Sequence, residues 1–216
     1  VGHPMNSFYG YKVDGIYKSE EEVKADPIAV ANGYKPGYLR YVDIDENGVL
    51  DDSDRTFLGS PYPKFTYGGN ISLAWKGIDF GMTFYGVAGV SVANSKSGFR
   101  NYASLMNFTD RFAEDHWTPS NTGSKNPSVE GLMKASTGQL NGYFVQKANY
   151  FQIQNVQLGY TFDKLFGHFK TRVYLSASQP LSIYSYEGFN PEIASGLDTE
   201  TYPMAATYSI GASITF

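Results

Sequence analysis

The sequence predicts an all-β fold: an antiparallel segment of a transmembrane β-barrel, about six C-terminal strands of a larger barrel, carrying long extracellular loops. Three observations predict it. Residues 206–216 read A-T-Y-S-I-G-A-S-I-T-F, so Tyr208, Ile210, Ala212, Ile214 and Phe216 share one face of a strand and Thr207, Ser209, Gly211, Ser213 and Thr215 the other. Such period-two alternation sets one face against apolar surroundings and the other against water. The stretch matches the length of a tilted crossing of a bilayer core, about 9–11 residues. Further segments repeat the pattern, and the connections between them are short on one rim and long on the other, as in outer-membrane barrels.

Taken in chain order, a first and less regular strand is expected at about Ser7–Tyr17. Ser19-Glu20-Glu21-Glu22 reads as a capping box that starts a short surface helix, ended near Pro27. The clearest hairpin runs from Phe65 to Ala88. Phe65, Tyr67, Gly69, Ile71, Leu73 and Trp75 share a face, Lys76-Gly77 makes a tight turn, and Ile78, Phe80, Met82, Phe84 and Gly86 share the face that follows. Across a two-residue turn Trp75 and Ile78 are paired neighbours, so the apolar stripe stays in register. Leu105, Phe108 and Phe112 lie at helical spacing and predict a short loop helix.

The next strand, about Tyr150–Phe162, places Val156, Leu158, Tyr160 and Phe162 on one face, with Phe151 and Ile153 in the opposite phase. A bulge is expected at that break. The strand at about Thr171–Tyr184 alternates through Val173, Leu175, Ala177 and Gln179, and Pro180 removes a ladder donor, so irregular pairing is expected beside it. The long connections fall at about 18–64, 93–149 and 185–205, opposite the short turns at Lys76-Gly77 and about 163–170. A soluble sandwich would scatter its loop lengths over both ends.

Composition narrows the function classes. With 17 basic and 21 acidic residues the net charge is −4, which gives no basic surface for nucleic acid. The absence of cysteine excludes disulfides and thiolate metal sites. The 18 Tyr, 15 Phe and 23 Gly suit aromatic girdles and glycine-bearing strands, though Tyr-rich sandwiches share that bias. No apolar run has the length of a membrane-spanning helix, about 18 residues or more. Val1-Gly2-His3-Pro4-Met5 lacks the basic and apolar regions of a signal peptide. About six strands do not close a barrel, since the small ones need about eight. The expectation is therefore one barrel domain over 1–216 that belongs to a longer polypeptide.

The ordered blocks of this sequence resemble the SusC/RagA family, TonB-dependent outer-membrane transporters of Bacteroidota. Ser7-Phe8-Tyr9-Gly10-Tyr11-Lys12-Val13-Asp14-Gly15-Ile16-Tyr17 is similar to that family's FYGYK-DG block, and Tyr41-Val42-Asp43 through Asp54-Arg55 to its acidic loop. Gly59-Ser60-Pro61-Tyr62-Pro63-Lys64-Phe65-Thr66-Tyr67-Gly68 is similar to the G-P-PKFTYG block that opens a strand, and Trp117-Thr118-Pro119 and Leu158-Gly159-Tyr160-Thr161-Phe162 also match. Asp163 stands where the family often has Pro, and Pro180-Leu181 where it tends to have Asn-Leu. The resemblance implies a barrel of about 22 strands with an N-terminal plug outside this sequence. It implies a SusD-like surface lipoprotein as lid, energy from the TonB complex, an oligosaccharide or peptide substrate, contact with outer-membrane lipid, and a place in the bacterial outer membrane.

The acidic loop Asp43–Asp54 has the spacing of a calcium loop. Asp43, Asp45 and Asn47 offer oxygens at positions 1, 3 and 5, Gly48 stands at the sharp turn, Val49 offers a backbone carbonyl, and Asp54 ends the set. Ca²⁺ takes 6–8 hard oxygens from a curved chain. Ca²⁺ is the first expectation; Asp54, shorter than the usual Glu, offers one oxygen or suits Mg²⁺ as the second, and an Asx-rich turn without metal is the alternative. The role expected of an ion is structural. No catalytic site is expected: His3, His116 and His168 are dispersed, and Asp115-His116 has no nucleophile beside it. Tyr184, Tyr186 and Phe189 read as an interfacial aromatic belt or as a stacking surface for substrate. Two functions follow: a nutrient importer segment whose apolar stripes face lipid, or a secreted, calcium-stabilised β-sandwich that binds carbohydrate and buries the same stripes.

Overall fold

A computed structural model describes residues 2–94, 97, 107–165, 169–199 and 201–215. In chain order the elements are β1 (Phe8–Tyr11), β2 (Val13–Ile16), α1 (Glu20–Ala25), α2 (Pro27–Ala31), β3 (Leu39–Tyr41), a 3₁₀ turn (Asp52–Asp54), β4 (Arg55–Gly59), β5 (Phe65–Trp75), β6 (Ile78–Ala88), β7 (Ser91–Asn94), α3 (Asp110–Glu114), α4 (Val129–Ser136), β8 (Val145–Lys147), β9 (Tyr150–Leu165), β10 (Phe169–Tyr184), β11 (Leu197–Asp198) and β12 (Thr207–Thr215). They group into two compact units.

One unit, residues 62–90, 147–192 and 201–216, is built on a five-stranded sheet in the order β12-β10-β9-β6-β5, antiparallel throughout. The β5–β6 turn is Lys76-Gly77, with φ of +47° and +86°, the paired left-handed conformation that two-residue hairpins favour. Trp75 and Ile78 are cross-strand partners, as the sequence predicts. The phase break in β9 is a bulge. Asn155 pairs with Thr83 and Ile153 with Phe84, so Gln154 is the extra residue that returns Phe151 and Ile153 to the apolar face. In β10 the register skips between Ser178 and Leu181, where Gln179 has φ of +52° and Pro180 follows. Gln179 therefore sits at the irregularity and does not extend the Val173 face.

The connections at one end of this sheet are the two residues Lys76-Gly77 and the stretch between Leu165 and Phe169; at the other they are 89–149 and 185–206. The expected rim asymmetry is present.

The other unit comprises residues 1–61, 91–146 and 193–200. Here the structure departs from expectation: residues 7–17 do not join the barrel sheet. They form β1 and β2, paired with β4 and β3 respectively, so the sheet has five strands where about six were expected. The reason is local. Tyr11 donates its backbone N–H to Leu140 at 3.0 Å and accepts from Gly142 at 2.9 Å. A Cβ on Gly10 would overlap the Leu140 carbonyl, so glycine is required for that approach. The Tyr11 backbone groups are thereby committed to residues 140 and 142, while the rest of the segment pairs with β4 and β3.

The predicted surface helix is α1. Ser19 caps it, accepting from the Glu22 N–H, and Glu22 accepts from the Lys18 N–H at 2.7 Å. It ends at Asp26, which caps α2 with Pro27 in its first turn. The Tyr17 hydroxyl, on a fully buried side chain, donates to Asp26 at 2.6 Å. Ile16, Leu39, Phe112, Leu132, Ala135 and Phe144 form one buried apolar cluster of this unit, and Tyr17, Val23, Ala29 and Tyr38 form another. Phe108 and Phe112 stack at 5.3 Å beside α3; Leu105 lies outside the described residues, as do His168 and Phe216.

Candidate functional site

The two faces of the five-stranded sheet define the site. On one face the pairing builds rows such as Leu73–Phe80–Leu158–Leu175–Ile210 and Trp75–Ile78–Tyr160–Val173–Ala212. These side chains are not a core. Leu158 and Leu175, each with a neighbouring strand on both sides, are 50% and 57% exposed, and Trp75 is 67% exposed. An apolar face of this extent on central strands marks a surface made to meet an apolar phase. The sandwich alternative needed these residues buried, and they are exposed. Two glycines on this face serve packing: the Phe84 ring covers Gly69 and the Tyr67 ring covers Gly86, each its cross-strand partner.

The opposite face is polar. One row reads Ser72–Gly81–Gln157–Ser176–Ser209 and the next Ala74–Asp79–Gly159–Tyr174–Gly211. The Arg172 guanidinium donates to both carboxylate oxygens of Asp79, at 2.9 Å from Nε, and lies 4.8 Å from the centre of the Tyr174 ring. This ion pair passes directly over Gly159, where a Cβ would come within 2.6 Å of both partners. Tyr174 in turn lies over Gly211. The pair ties β6 to β10 across β9. Sequence reading missed it because the partners are 93 residues apart; the available signal was a single Arg on the polar face of an alternating strand, with Gly159 between it and an acid.

In the loop unit, the structure brings Asp43, Asp45 and Asp54 together, with one carboxylate oxygen from each lying within 4.8 Å of the others. Backbone N–H groups arrange them. Asp43 accepts from Gly48 at 2.7 Å, Asp45 from Asn47 at 3.3 Å, and the buried Asp54 from Ile44 at 2.7 Å and Asp51 at 2.9 Å. Gly48 has φ of +79°, the left-handed turn that the spacing requires. Asn47 is turned differently from expectation: its Oδ1 accepts from the Val49 N–H at 2.7 Å. Hydrogen bonds from the Ser53 backbone and hydroxyl hold the neighbouring Asp51 carboxyl below the usual range. Three converging carboxylates on a curved chain fit a hard divalent cation.

His116 stacks on Phe112 at 5.3 Å, and its Nδ1 lies 3.0 Å from the Phe112 carbonyl oxygen, a helix-end contact. Of the aromatic group near the last loop, Tyr186 is buried, the Tyr184 hydroxyl donates to the Phe189 carbonyl at 3.3 Å, and Phe189 is exposed.

An antiparallel meander with an exposed apolar face, a polar face, short turns at one end and long loops at the other defines part of the wall of an outer-membrane-type β-barrel. No family model matches the chain. The chain is 31% identical over its whole length to TonB-dependent receptor P26 of Formosa agariphila, of which it covers 23%, and 29% identical to TonB-dependent receptor SusC of Bacteroides thetaiotaomicron, of which it covers 20%. Among solved structures, all of it superposes on 23% of a chain of the RagAB peptide transporter, at a TM-score of 0.73 and 23% identity, a likeness of fold. Over its whole length the chain is similar to a segment of TonB-dependent receptors, SusC among them, and it spans under a quarter of the length of these relatives.

Proposed function

We propose that this segment supplies wall and extracellular loops to a TonB-dependent nutrient importer of the bacterial outer membrane. The observation that carries the reading is the exposed apolar face of the two central strands, opposite a polar face that suits a water-filled or plugged lumen. Lipid would cover the first face and the lumen would lie against the second. β5 and β12 each pair on one side only among the described residues, and open edges are not tolerated in hydrocarbon. Strands from the rest of the polypeptide would close the barrel. On this reading a SusD-like lipoprotein docks on the loop side, an N-terminal plug occupies the lumen, the TonB complex supplies energy, and the substrate is an oligosaccharide or peptide. Uptake of labelled oligosaccharide or peptide by cells expressing the full polypeptide tests it: uptake is lost when TonB is deleted, and uptake that persists without TonB contradicts the reading.

Asp43, Asp45 and Asp54, with Asn47 and the Val49 carbonyl completing the set, would hold Ca²⁺ in preference to Mg²⁺. Its part would be structural, neutralising the carboxylates and pinning the loop. Calorimetric titration with Ca²⁺ and Mg²⁺ tests this. Asp43→Asn and Asp54→Asn are each expected to weaken Ca²⁺ binding by about tenfold or more, the result of losing one charged ligand. Equal binding by both variants would remove the metal from the account.

A further inference from the structure

The polar face of the five-stranded sheet is not open along its whole length. In the row Asn70–Thr83–Asn155–Ser178–Thr207, every residue but Thr83 is exposed. The next row toward the long loops reads Gly68–Tyr85–Gln152–Ser182. There Gln152 is 1% exposed, and the buried Ser182 hydroxyl has no hydrogen-bond partner. Gln152 Nε2 donates to the thioether sulfur of Met204 at 3.2 Å. Met204 belongs to residues 201–206, which lead from the last long loop into β12. We propose that this stretch is a strap, seated over the polar face at its loop end and able to lift from it, and thus a two-position constriction of the lumen mouth. That role goes beyond the importer reading and rests on it only in taking the polar face as the lumen side.

The path of the strap follows from β10. The β10–β12 ladder ends at Ser178 and Thr207. Gln179 then has φ of +52°, and Pro180 has no N–H to offer a further pairing. The residues ahead of Thr207 therefore leave the edge of β10 and set Met204 on β9, the strand beyond it. The two limbs of the loop are held unequally. On the outgoing limb the Tyr150 hydroxyl donates to Glu192, the Tyr184 hydroxyl donates to the Phe189 carbonyl, and Tyr186 is buried. On the return limb, residues 202–205 make no backbone hydrogen bond among the described residues, and the contact of Met204 with Gln152 is their one side-chain hydrogen bond there. Tyr202 stands almost fully in solvent.

A thioether is a weak acceptor. The seated strap takes an amide and a hydroxyl out of water and gives the two of them one weak partner. A buried polar group without a partner keeps its full desolvation penalty. Lifting the strap returns both groups to water and exposes the Met204 side chain. Apolar burial favours one position and polar hydration the other, so neither holds a large advantage. Segments with few buried contacts are the ones that open locally.

The test uses the full polypeptide in detergent, with any cysteines outside this Cys-free segment replaced, and a water-soluble maleimide. Ser182→Cys reports on the covered row and Ser72→Cys on an exposed position of the same face. Ser182→Cys is expected to react at least about tenfold more slowly in the folded protein than in the unfolded one, and still to reach completion, as a site exposed by local opening does. Met204→Ala is expected to raise that rate about tenfold, the effect of one lost apolar contact, and to leave the Ser72→Cys rate unchanged. Met204→Gln gives the Gln152 amide a strong acceptor and is expected to slow it. Reaction as fast as in the unfolded protein, no reaction at all, indifference to both Met204 substitutions, or an equal rise at Ser72→Cys would each overturn the strap. Its part in transport is read in cells. A reducible bis-thiosulfonate bridge between Gln152→Cys and Met204→Cys should abolish TonB-dependent uptake until it is reduced, and unchanged uptake with the bridge in place would overturn the constriction. Absence of TonB-dependent uptake from the unbridged protein would instead overturn the importer reading and leave the labelling result standing.

Discussion

At the residue scale, glycine at position 159 is the price of the Asp79–Arg172 ion pair. The guanidinium crosses the strand at the height where a methyl group would sit. Gly159→Ala is therefore expected to displace the pair and to cost about 1–3 kcal/mol, the range for overpacking and broken ion-pair geometry. Gly81 lies on the same polar face with nothing within 4 Å of its would-be Cβ, so Gly81→Ala is the matched control and should fall within about 0.5 kcal/mol of the parent. Denaturant unfolding of the full polypeptide in detergent measures both.

Tyr17 gives a second residue-scale test. Burial and the hydrogen bond to Asp26 push its phenol well above its ordinary value of 10.0. A folded value above the unfolded one makes its contribution complete below pH 10 or so and lost as pH rises toward the folded value. Tyr17→Phe is expected to cost about 1 kcal/mol near neutral pH. Its stability should converge on that of the parent in strong alkali; a gap that does not narrow would detach the effect from ionisation. Neither interaction was legible in the sequence. Alternation put Asp79 and Gly159 on the right face, but a face assignment does not say which distant strands lie side by side, and the partner of Tyr17 depends on how two short helices share one capping aspartate.

At the scale of elements, the strands were legible wherever alternation is strict and turns are short. The hairpin about Lys76-Gly77 has both its register and its turn as expected, because a two-residue loop leaves no freedom in pairing. The phase break before Val156 correctly announced a bulge, and Pro180 announced irregular pairing in β10. Residues 7–17 were misassigned for the opposite reason. Their alternation is weak, Gly10 allows a close approach, and their partners lie in β3, β4 and residues 140–142, which sequence spacing cannot reveal. The acidic loop lies between these cases: its spacing identified Asp43, Asp45 and Asp54 as neighbours, whereas the Asn47 side chain follows the local turn chemistry of asparagine. Deleting Gln154 tests the bulge. Without it the alternation becomes strict and the ladder to β6 regular, so Phe151 and Ile153 keep their place on the apolar face. The full polypeptide should then retain the heat-modifiable gel mobility of a folded barrel, whereas loss of that mobility would contradict the assignment of Gln154 as the extra residue.

At the scale of the whole molecule, the account reduces to the direction in which one face looks. Leu73, Leu158, Leu175 and Ile210 form a continuous apolar row that no side chain of the sheet covers, and a charge placed in it should be felt as lipid feels charge. Leu158→Arg is expected to cost about 2–4 kcal/mol if the position lies near the bilayer midplane. Ser176→Arg, on the polar face in the adjacent row, should be tolerated. Comparable losses at the two positions, measured by unfolding in lipid, would mean that the faces are not distinct.

Trp75 gives the most direct measurement. It ends β5 on the apolar face, and Trp117→Phe leaves it as the single tryptophan of this chain. In the full polypeptide, with any further tryptophans also replaced, reconstituted into bilayers whose acyl chains carry bromine, the account predicts strong quenching of its fluorescence and little quenching by aqueous iodide. Quenching by iodide with none by the brominated chains would contradict it.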